Sequence, residues 1–475
     1  MHETIEFPKN KEALMDSTEI FTLIERIAAT SAKSAKLALL GEHAGEEDLK
    51  RVLEATYSPL KTYGIAQRPL PPAPDRRGGR FEESTWSLLG QLERRELTGN
   101  AARAALAAEM TRLDGASAEL LWRIVAKDLR AGFSANTTGK VFPGLLPEYP
   151  YMRCSLPKKS NFSKFDWARG VFSQKKANGL FANVNLLDSG AVTLVSRSGS
   201  EFPVEAFAEL AAFVAGRFER GFQHHGELLV VEDGRILPRE IGNGILNAVL
   251  QGGQFGPGQA PLYEVWDRIP LSAVVRKGSY AVPYRERLEA LDERLREADE
   301  SDPVRLIDTR ICNSLEDAYA HYTELVAAGE EGTILKSPAL IWRDGTSKDA
   351  VKLKVEASCD LKIVAIVSGR PGTRTEGRAG SLACESECGK LRVDVTVKNE
   401  TMRDAVDADP QSWIGRIVPV LFNEVMRPGP NNALHSLFLP RLEEAGYRVD
   451  KSIADDLERV LEQFEAAKSM EGVAG

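Results

Sequence analysis

Hydrophobic residues recur every three or four positions along the first quarter of the chain. Ile20, Leu23, Ile24 and Ile27 show this spacing, and further apolar residues repeat it as far as position 125. In a helix, such spacing places the apolar side chains on one face, where they can pack against a core. Residues 18–132 are therefore predicted to be helical.

The pattern changes near Ser134 to short runs in which apolar and polar residues alternate. Alternation with a period of two is typical of half-buried strands, and the turn Asp188-Ser189-Gly190 indicates a hairpin. This region is predicted to mix strands with helices. We expect strands at 180–187, 191–196, 225–231, 262–267, 331–336 and 351–354, and helices at 284–298 and 314–328.

A third region begins near residue 358 and is again rich in strands, at 361–367, 391–397 and 417–422. Its length of about a hundred residues suits a small β-barrel of the oligonucleotide-binding (OB) type. Ser452 is expected to start a final helix, with Asp455 three positions later in a capping box. The three regions predict a multidomain protein of α and α+β class.

Length and composition agree with several folded domains. The chain has 475 residues, of which 43% are hydrophobic and 27% charged, as is ordinary for soluble globular proteins. No apolar run approaches the roughly 18 residues that span a bilayer, and the start carries no secretory signal pattern. The five scattered cysteines are predicted to be free thiols. The protein is therefore expected in the cytoplasm, with no membrane partner.

The overall charge is acidic, but one segment is strongly basic. The formal net charge of −8 argues against a uniformly basic nucleic-acid coat. Between residues 153 and 176, however, seven lysines and arginines stand against one acidic residue, with aromatic residues between them. Phosphate binding requires such a local basic surface, so this segment is predicted to face phosphates. The alternative is a solvated loop.

The tetrad Lys176-Ala177-Asn178-Gly179 follows this basic segment and precedes the predicted hairpin. Gly179 is expected to let the backbone come close to a ligand that a side chain would obstruct. A lysine amine can attack phosphorus when neighbouring cations and desolvation keep it neutral. Alone, Lys-x-x-Gly is a weak signal, because most such tetrads are surface turns.

Six further short motifs follow the tetrad, and their order carries more information than any one of them. They are Ser196-Arg197-Ser198-Gly199, Gly226-Glu227-Leu228, Trp266-Asp267, Glu331-Gly332 with Lys336, Lys352-Leu353-Lys354 and Arg448-Val449-Asp450-Lys451. Read together, the seven motifs resemble those of the covalent nucleotidyltransferase superfamily. Within that superfamily the chain resembles the ATP-dependent DNA ligases, most of all those of the T-even bacteriophage type.

The resemblance implies a domain plan and a substrate. Residues 1–134 would form an all-α DNA-binding domain, 135–357 an α+β nucleotidyltransferase (adenylation) domain, and 358–475 an OB-fold β-barrel with a C-terminal helix. The substrate would be nicked double-stranded DNA, bound by a monomer in a bacterial or phage-infected cell. Outside the motifs, segments 97–102, 127–132, 141–145, 360–364, 385–390 and 437–440 also resemble this family.

The resemblance assigns the central chemistry to Lys176, which would attack the α-phosphate of ATP and form lysyl-AMP. AMP would then pass to the 5′-phosphate of a nick, and the adjacent 3′-hydroxyl would displace it and seal the strand. Each step is an in-line displacement at phosphorus, in which positioning and charge neutralisation dominate. Lys352 and Lys354 would cradle the α-phosphate and help to keep the nucleophile neutral.

Other motif residues would bind the nucleotide or Mg²⁺. Glu227 would hold the ribose hydroxyls or the metal, and Glu331 would bind Mg²⁺. Trp266 would stack on adenine, with Tyr263 in reserve. The alternatives are an exposed strand residue for Glu227 and a core aromatic for Trp266. The further nucleotide-binding residues implied are Ala177, Asn178, Gly179, Arg197 on the phosphate of AMP or of the nick, Lys336 (otherwise a solvated strand end), and Arg448 and Lys451 on pyrophosphate.

Two positions depart from the family pattern. Asn178 stands where the family usually carries aspartate, which removes a charge but keeps a hydrogen-bond acceptor. Phe181 stands where the bacteriophage pattern has arginine, so one ribose or phosphate contact is missing or supplied elsewhere. Lys175 is a weaker candidate nucleophile, because strand alternation should point it away from the site. His224 and His225 have no partner cluster and are predicted to lie at the surface.

Two other functions stay open. One is an RNA end-joining or repair ligase of the same superfamily, against which the helical N-terminal region argues. The other is a DNA-binding relative with weakened catalysis, which the departures at Asn178 and Phe181 motivate. The choice of ATP over NAD rests on the resemblance, since the sequence has no zinc-finger cysteine quartet of the kind that NAD-type ligases carry.

Overall fold

The computed structural model of the chain describes residues 15–30, 32–70, 73–161, 164–371, 373–429, 432–443 and 446–468. Its contacts divide the chain into two compact units, Met1–Pro147 with Ser368–Gly380 and Glu148–Val367 with Ser381–Gly475. The predicted three-domain plan, with boundaries at residues 134 and 357, stays a prediction. Among the helices of the described ranges, none combines the length and the apolar character needed to cross a bilayer.

The first unit is built from helices around one apolar core. The spacing that predicted its first helix is confirmed, because Ile20 and Ile24 are fully buried in that core. Asp16 starts the helix, since its carboxylate accepts the backbone N–H groups of Thr18 and Glu19 at 2.9 and 3.0 Å. The helices are α1 (Ser17–Ala28), α2 (Lys33–Glu42), α3 (Glu47–Tyr57), α4 (Glu83–Glu93), α5 (Gly99–Arg112), α6 (Gly115–Val125) and α7 (Ala135–Val141).

The second unit begins with strands and helices in the order that the alternating pattern predicted. The predicted hairpin, the strands predicted at 225–231 and 262–267, and the helices predicted at 284–298 and 314–328 are confirmed. Their ends differ from the predicted ones by a few residues. The elements are β1 (Met152–Ser155), β2 (Val171–Lys175), β3 (Leu180–Leu186), β4 (Val192–Val195), α8 (Ala208–Arg217), β5 (Phe222–Glu232), β6 (Arg235–Ile236), α9 (Arg239–Leu250), β7 (Gln259–Pro270), β8 (Ser279–Tyr280), α10 (Tyr284–Leu295), β9 (Val304–Leu306), β10 (Thr309–Cys312), α11 (Leu315–Ala327), β11 (Gly332–Lys336), β12 (Trp342–Arg343) and β13 (Gly345–Lys354).

These strands form two principal sheets. One has the order β1-β13-β11-β2-β10, and the other has the order β4-β3-β5-β7-β9 with β6 paired to β5. In the first sheet, Gln174, Ile334 and Lys352 are direct register partners on β2, β11 and β13. Directly paired residues on antiparallel strands point to the same face. These three side chains therefore form one row across the sheet.

The second sheet is apolar on one face and polar on the other. Val184, Val230 and Val265 of the sheet pack with Leu210 of α8 and Leu246 of α9 in one buried cluster. Because side chains alternate along a strand, the residues next to each of these valines in sequence point to the opposite face of the sheet. That second face supplies the polar groups of the site described below.

A buried ion pair joins this sheet to α10. Nε and Nη2 of Arg287 donate to the two carboxylate oxygens of Asp267 at 2.7 and 3.0 Å, and both side chains are 1% exposed. Burial alone would raise the pKa of Asp267, but the charge and hydrogen bonds of Arg287 hold that pKa below its ordinary value. Nη1 of Arg287 also donates to the carbonyl oxygen of Leu340 at 3.0 Å. The guanidinium thus has partners on both edges.

The C-terminal part contains a five-stranded sheet, and the OB-fold β-barrel predicted for it is not confirmed. Its elements are β14 (Ala357–Ser368), β15 (Ala379–Glu385), β16 (Arg392–Thr396), α12 (Glu400–Ala408), β17 (Ile417–Phe422), β18 (Glu424–Met426), β19 (Ser436–Phe438), β20 (Arg441–Leu442) and α13 (Leu457–Ala467). Within the described residues, the hydrogen-bonded order β16-β15-β14-β17-β20 makes a half-barrel. The predicted mixture of helices and sheets is confirmed.

The predicted start of the last helix at Ser452 is wrong. The carboxylate of Asp455 accepts the backbone N–H of Asp360 at 2.8 Å, so it ties the chain to β14 instead of completing a capping box. Asp456 caps α13, because its side chain accepts the backbone N–H of Arg459 at 2.8 Å. A choice between two neighbouring aspartates depends on this distant strand, which the local pattern does not report.

We predict that Arg287→Met destabilises the protein strongly, because it leaves the Asp267 carboxylate buried without its partner. The expected loss is about 3–5 kcal/mol in the free energy of unfolding. The matched control is Arg310→Met, which breaks an exposed ion pair with Glu324 and should cost far less. Urea unfolding measures both changes. Equal losses in the two variants would contradict the role given to the buried pair.

Candidate active site

A cavity of about 160 Å³ lies between the two principal sheets, where several predicted motifs come together. The first sheet contributes residues of β1, β2 and β11, and the second contributes residues of β3, β5 and β7. Charged and aromatic side chains both line it, including Tyr151, Cys154, Gln174, Lys176, Phe181, Arg197, His225, Glu227, Trp266, Asp267 and Lys336. A small pocket of this kind suits a flat ring with a charged group attached.

Lys176 lies just after β2, at the mouth of this cavity. Its backbone N–H donates to the carbonyl oxygen of Gly332 at 2.9 Å, which extends the pairing of β2 with β11. Its ammonium pairs with the carboxylate of Glu331, and the side chain is 24% exposed. The neighbouring Lys175 donates instead to Glu264 at 2.8 Å. The two lysines are thus held by different carboxylates.

The structure gives Gly179 a different reason from the one predicted. A Cβ atom at Gly179 would lie 2.2 Å from the carbonyl oxygen of Leu228 and 2.6 Å from a methyl of Leu229. The close approach seen here is to β5, and the predicted approach to a ligand stays a prediction. The backbone N–H of Gly179 donates to Glu227 Oε1 at 3.2 Å. The absence of a side chain lets the tetrad lie against the strand that carries Glu227.

Glu227 projects from β5 into the cavity, where the pKa of its carboxyl is shifted towards neutral pH. Burial raises the pKa of this carboxyl from 4.5 to about 7. The positive charges of Lys176 and Arg197 and the hydrogen bond from Gly179 act in the opposite direction, but they do not cancel the effect of burial. The alternative of an exposed strand residue is wrong. A carboxyl held this way can change charge when a cation or a ligand enters.

Lys336 is buried deep in the cavity, so the alternative of a solvated strand end is also wrong. The residue is 4% exposed. Its Nζ donates to the hydroxyl of Tyr284 at 3.0 Å and lies 5.8 Å from the ring centroid of Trp266. Burial lowers the pKa of Lys336 to about 8, against the opposing influence of Asp267. The cavity therefore holds a cation at neutral pH that is close to losing its proton.

Aromatic side chains form one wall of the cavity. Trp266 is partly exposed and lies 5.9 Å, centroid to centroid, from Phe181, which in turn meets Tyr151 edge-on at 4.9 Å. The guanidinium of Arg197 lies over the rings of Tyr151 and Phe181, at 5.0 and 5.3 Å from their centroids. Phe181, which replaces the family's arginine, thus supports another arginine at the cavity.

Tyr263 does not belong to this wall, so its reserve role in stacking is wrong. It is fully buried in the core on the opposite face of the second sheet. Its hydroxyl lies 3.0 Å from the carbonyl oxygen of Ala182 and 2.7 Å from that of His224. Strand alternation separates it from Trp266, because the two residues are three positions apart and so point to opposite faces.

Lys352 and Lys354 lie on β13, on the same face of the first sheet as Lys336. Lys352 is the register partner of Ile334, and Lys354 is the partner of Gly332. Burial lowers the pKa of Lys354, whose Nζ lies 3.9 Å from Glu356. Gly332 lies between Lys354 and the backbone of the tetrad lysine. The two cations therefore flank the tetrad across the strand β11.

Arg448 and Lys451 are not brought to the cavity. Arg448 pairs with Asp360 at 3.1 Å and with Asp450 at 2.6 Å, and Lys451 pairs with Asp360 at 2.5 Å. Asp450 is exposed, and hydrogen bonding to Arg448 holds its pKa near 2. Neither cation is among the described residues that line the cavity. In this arrangement both are bound by carboxylates of the C-terminal sheet.

A larger cleft of about 430 Å³ begins beside the tetrad and extends to the C-terminal sheet. Asn178, Glu331 and Lys354 line its near side, and Asn423 and Phe438 line its far side. Oδ1 of Asn178 is buried and finds no hydrogen-bond donor among the described residues. Asn178 therefore keeps an unused acceptor in the cleft, next in sequence to Ala177, which lines the cavity.

The prediction that His224 and His225 lie at the surface is wrong. They are 1% and 7% exposed, and burial lowers their pKa values to about 3 and about 4. His225 lines the cavity and contacts Gln223 Oε1 at 3.0 Å. Both rings are therefore neutral at ordinary pH. They lie on β5 between β3 and β7, which are distant in sequence, so the sequence alone did not reveal their burial.

Glu227 and Glu331, the residues predicted to bind Mg²⁺, come from β5 and from the start of β11. Mg²⁺ usually takes one or two protein carboxylates and completes its shell with water and phosphate oxygens. Over the described ranges, no cluster of three or more His, Cys, Asp or Glu side chains has the geometry to hold a metal. These residues fit a Mg²⁺ that arrives with phosphates.

The cavity also contains residues that no motif indicated. Gln174 could have been found, because it lies two positions before Lys176 and alternation places both on one face. Tyr151 and Cys154 could not, since they reach the cavity through the parallel pairing of β1 with β13, almost two hundred positions away. The functional roles predicted for the motif residues stay predictions. The structure shows where these residues lie.

Comparisons with known proteins agree with the motif reading. Residues 158–354 match the family model described as the ATP dependent DNA ligase domain. The proteins named DNA ligase from Enterobacteria phage T4 and Enterobacteria phage T6 are each 28% identical to this chain over 494 residues, covering 94% of this chain and 99% of the relative. The resemblance predicted from the motifs is confirmed.

A solved structure shares the fold. The structure named Pmar-Lig_PreS3 superposes with a TM-score of 0.68 at 18% identity, and the match covers 90% of this chain and 99% of that chain. At that identity the likeness concerns the path of the backbone and not the chemistry of single side chains.

We predict that Gly179→Ala destabilises the protein by about 1–3 kcal/mol, because its Cβ would overlap the carbonyl oxygen of Leu228. The matched control is Gly244→Ala in α9, where no atom lies within 4 Å of the added Cβ. That control should be neutral or stabilising by about 0.5–1 kcal/mol. Chemical unfolding of both variants tests the contrast, and a harmless Gly179→Ala would remove the packing account of the tetrad.

We predict that Glu227→Gln changes how stability depends on pH. The folded protein keeps the Glu227 proton to a higher pH than the unfolded chain does, so this carboxyl lowers stability as pH rises from 4.5 to about 7. The glutamine variant lacks that loss. The stability of the variant relative to the parent should therefore increase across this window and level off above it. A difference that stays constant or falls would contradict the burial effect.

Proposed function

We propose that this ligase, which resembles the ATP-dependent DNA ligases, seals 5′-phosphate/3′-hydroxyl nicks in duplex DNA. The reaction passes through a lysyl-AMP intermediate and then through an AMP–DNA intermediate. The observation that carries the proposal is the position of Lys176. Its side chain lines the cavity with the aromatic wall and pairs with Glu331, a residue of the larger cleft, and its charge acts on Glu227 in the same cavity.

The nucleotide would lie with its base in the cavity and its phosphates beside the tetrad. Adenine enters the smaller cavity and stacks on Trp266, whose ring is partly exposed there. Glu227, on the strand next to β7, takes the ribose hydroxyls. The phosphates then point towards the tetrad, where Lys352 and Lys354 flank the path and supply positive charge. Arg197, held on two aromatic rings, takes a phosphate of AMP or of the nick.

The nucleophile requires one change from the arrangement observed. The ammonium of Lys176 is paired with Glu331, and a protonated amine has no lone pair with which to attack phosphorus. Lys176 must therefore leave this contact and lose its proton before the bond from Nζ to the α-phosphorus forms. The bond from that phosphorus to pyrophosphate breaks on the opposite side, as an in-line displacement requires.

Mg²⁺ fits the same place. Glu331 and Glu227 would hold it together with the phosphates of ATP, and it would neutralise phosphate charge there. Glu331 is then shared between two cations, the amine and the metal.

The helical unit would bind the duplex. Arg76 and Arg77 are exposed in the loop before α4, where they can reach a phosphate backbone. Contacts from arginine to phosphate oxygens hold a duplex without reading its sequence. We therefore expect affinity for nicked DNA to fall steeply with salt concentration.

We predict that Lys176→Ala abolishes covalent labelling of the protein by ATP that carries ³²P on its α-phosphate, because the substitution removes the amine that forms the adduct. Binding of nicked DNA should be retained, since the substitution leaves the helical unit unchanged. Labelling is measured on denaturing gels in the presence of Mg²⁺. Lys398→Ala, at an exposed position of the C-terminal part, is the matched control and should label like the parent.

The outcomes separate the competing functions. A parent protein that takes no label would favour a DNA-binding relative without catalysis, the alternative suggested by the departures at Asn178 and Phe181. Label in Lys176→Ala that equals the parent would overturn the assignment of the nucleophile. Faster sealing of nicked RNA than of nicked DNA would favour the RNA repair ligase.

A further inference from the structure

Tyr284 stands at the start of α10, behind the cavity, and is fully buried. Its hydroxyl oxygen lies 3.0 Å from Nζ of Lys336, 3.0 Å from Oε1 of Gln174 and 2.5 Å from the carbonyl oxygen of Trp266. These partners belong to β11, β2 and β7, and therefore to both principal sheets. One hydroxyl thus joins three residues that line the cavity.

The protons of this junction can be assigned. A phenol has one proton to donate and can accept two hydrogen bonds. The amine of Lys336 donates to the phenol, and the single proton of the phenol is directed at two acceptors, the carbonyl oxygen of Trp266 and Oε1 of Gln174. Gln174 presents its oxygen because its Nε2 donates to Thr309 Oγ1 at 3.0 Å, and the proton of Thr309 goes to the carbonyl of Ile307 at 2.9 Å. The hydroxyl has a defined direction.

The ring of Tyr284 is held independently of its hydroxyl. It meets Phe172 edge-on at a centroid distance of 5.7 Å and packs in a small apolar cluster with Leu288 and Leu340. Burial raises the pKa of the phenol well above its ordinary value, so the hydroxyl keeps its proton. Replacing tyrosine by phenylalanine therefore removes the three polar contacts and leaves the packing of the ring.

We propose that Tyr284 is a positioning residue for the nucleotide, which fixes the indole of Trp266 relative to the strand that leads to Lys176. The inference rests on the proposed function, in which Trp266 stacks on adenine and Lys176 attacks the α-phosphate. Tyr284 touches neither the base nor the phosphates. It acts through Trp266, Lys336 and Gln174, and it sets how far the stacked base lies from the reacting amine. Reaction rates depend steeply on such distances.

The test compares two buried tyrosines. Tyr284→Phe removes the hydroxyl at the junction, and Tyr263→Phe removes a hydroxyl that contacts backbone carbonyls in the core of the same sheet. Both variants leave buried acceptors without a donor, so both should lower the melting temperature by a similar amount. Self-adenylation is then followed at several ATP concentrations with Mg²⁺, after pyrophosphate has removed any bound AMP.

Tyr284→Phe should raise KM for ATP roughly three- to tenfold, as expected for the loss of one hydrogen bond that holds a binding residue. Tyr263→Phe should leave KM unchanged. The effect of Tyr284→Phe should also shrink when Trp266 is already alanine, because the two residues act as a unit.

Three results would overturn the proposal. One is an unchanged KM in Tyr284→Phe, and another is an equal rise of KM in Tyr263→Phe. The third is an effect of Tyr284→Phe that adds in full to that of Trp266→Ala. Each of these can occur while the parent protein labels normally, whereas a parent that takes no label would defeat the proposed function itself.

Discussion

The site depends on keeping charged side chains inside a narrow gap between two sheets. A charge removed from water is costly unless it finds a partner with good geometry. Asp267 meets this requirement through the two-pronged contact with Arg287, and Lys336 meets it through Tyr284 and the nearby Asp267. The same groups hold β7 and β11, the strands that carry Trp266 and the base of the cavity. The contacts that satisfy the buried charges therefore also shape the site.

The same constraint explains the unusual protonation of the site. Glu227 and Lys336 are both buried, and burial disfavours the charged form of each, so the pKa of the acid rises and that of the base falls. The two values approach each other around neutral pH. In the proposed reaction, such a site would meet phosphates, a metal and an amine in several charge states. That tolerance suits a reaction in which the amine, the phosphate and the metal all change partners.

Local pattern was enough to place most elements and to find the tetrad. The spacing of Ile20 and Ile24 predicted α1, and alternation predicted β5 and β7, because each depends only on neighbours along the chain. The register between strands depends on residues that are distant in sequence, and that register determines the burial of His224 and His225. Phe181 likewise became part of an aromatic wall only through pairing with residues far away in sequence.

The C-terminal part shows the same limit and adds a consequence for function. Arg448 and Lys451 were expected to act on pyrophosphate, yet both are bound to Asp360 on the C-terminal sheet. Those ion pairs must exchange before either cation can reach a phosphate at Lys176. The arrangement described here is therefore not the one in which they would perform that role, and movement of this part would be required.

Mass spectrometry of the ATP-treated protein, with peptide mapping of any adduct, tests the central claim most directly. The account predicts a single adenylate, joined to Nζ of Lys176 in the peptide that contains the tetrad. An adduct on Lys175 or on any other residue would contradict it, and so would a protein that forms no adduct in the presence of ATP and Mg²⁺.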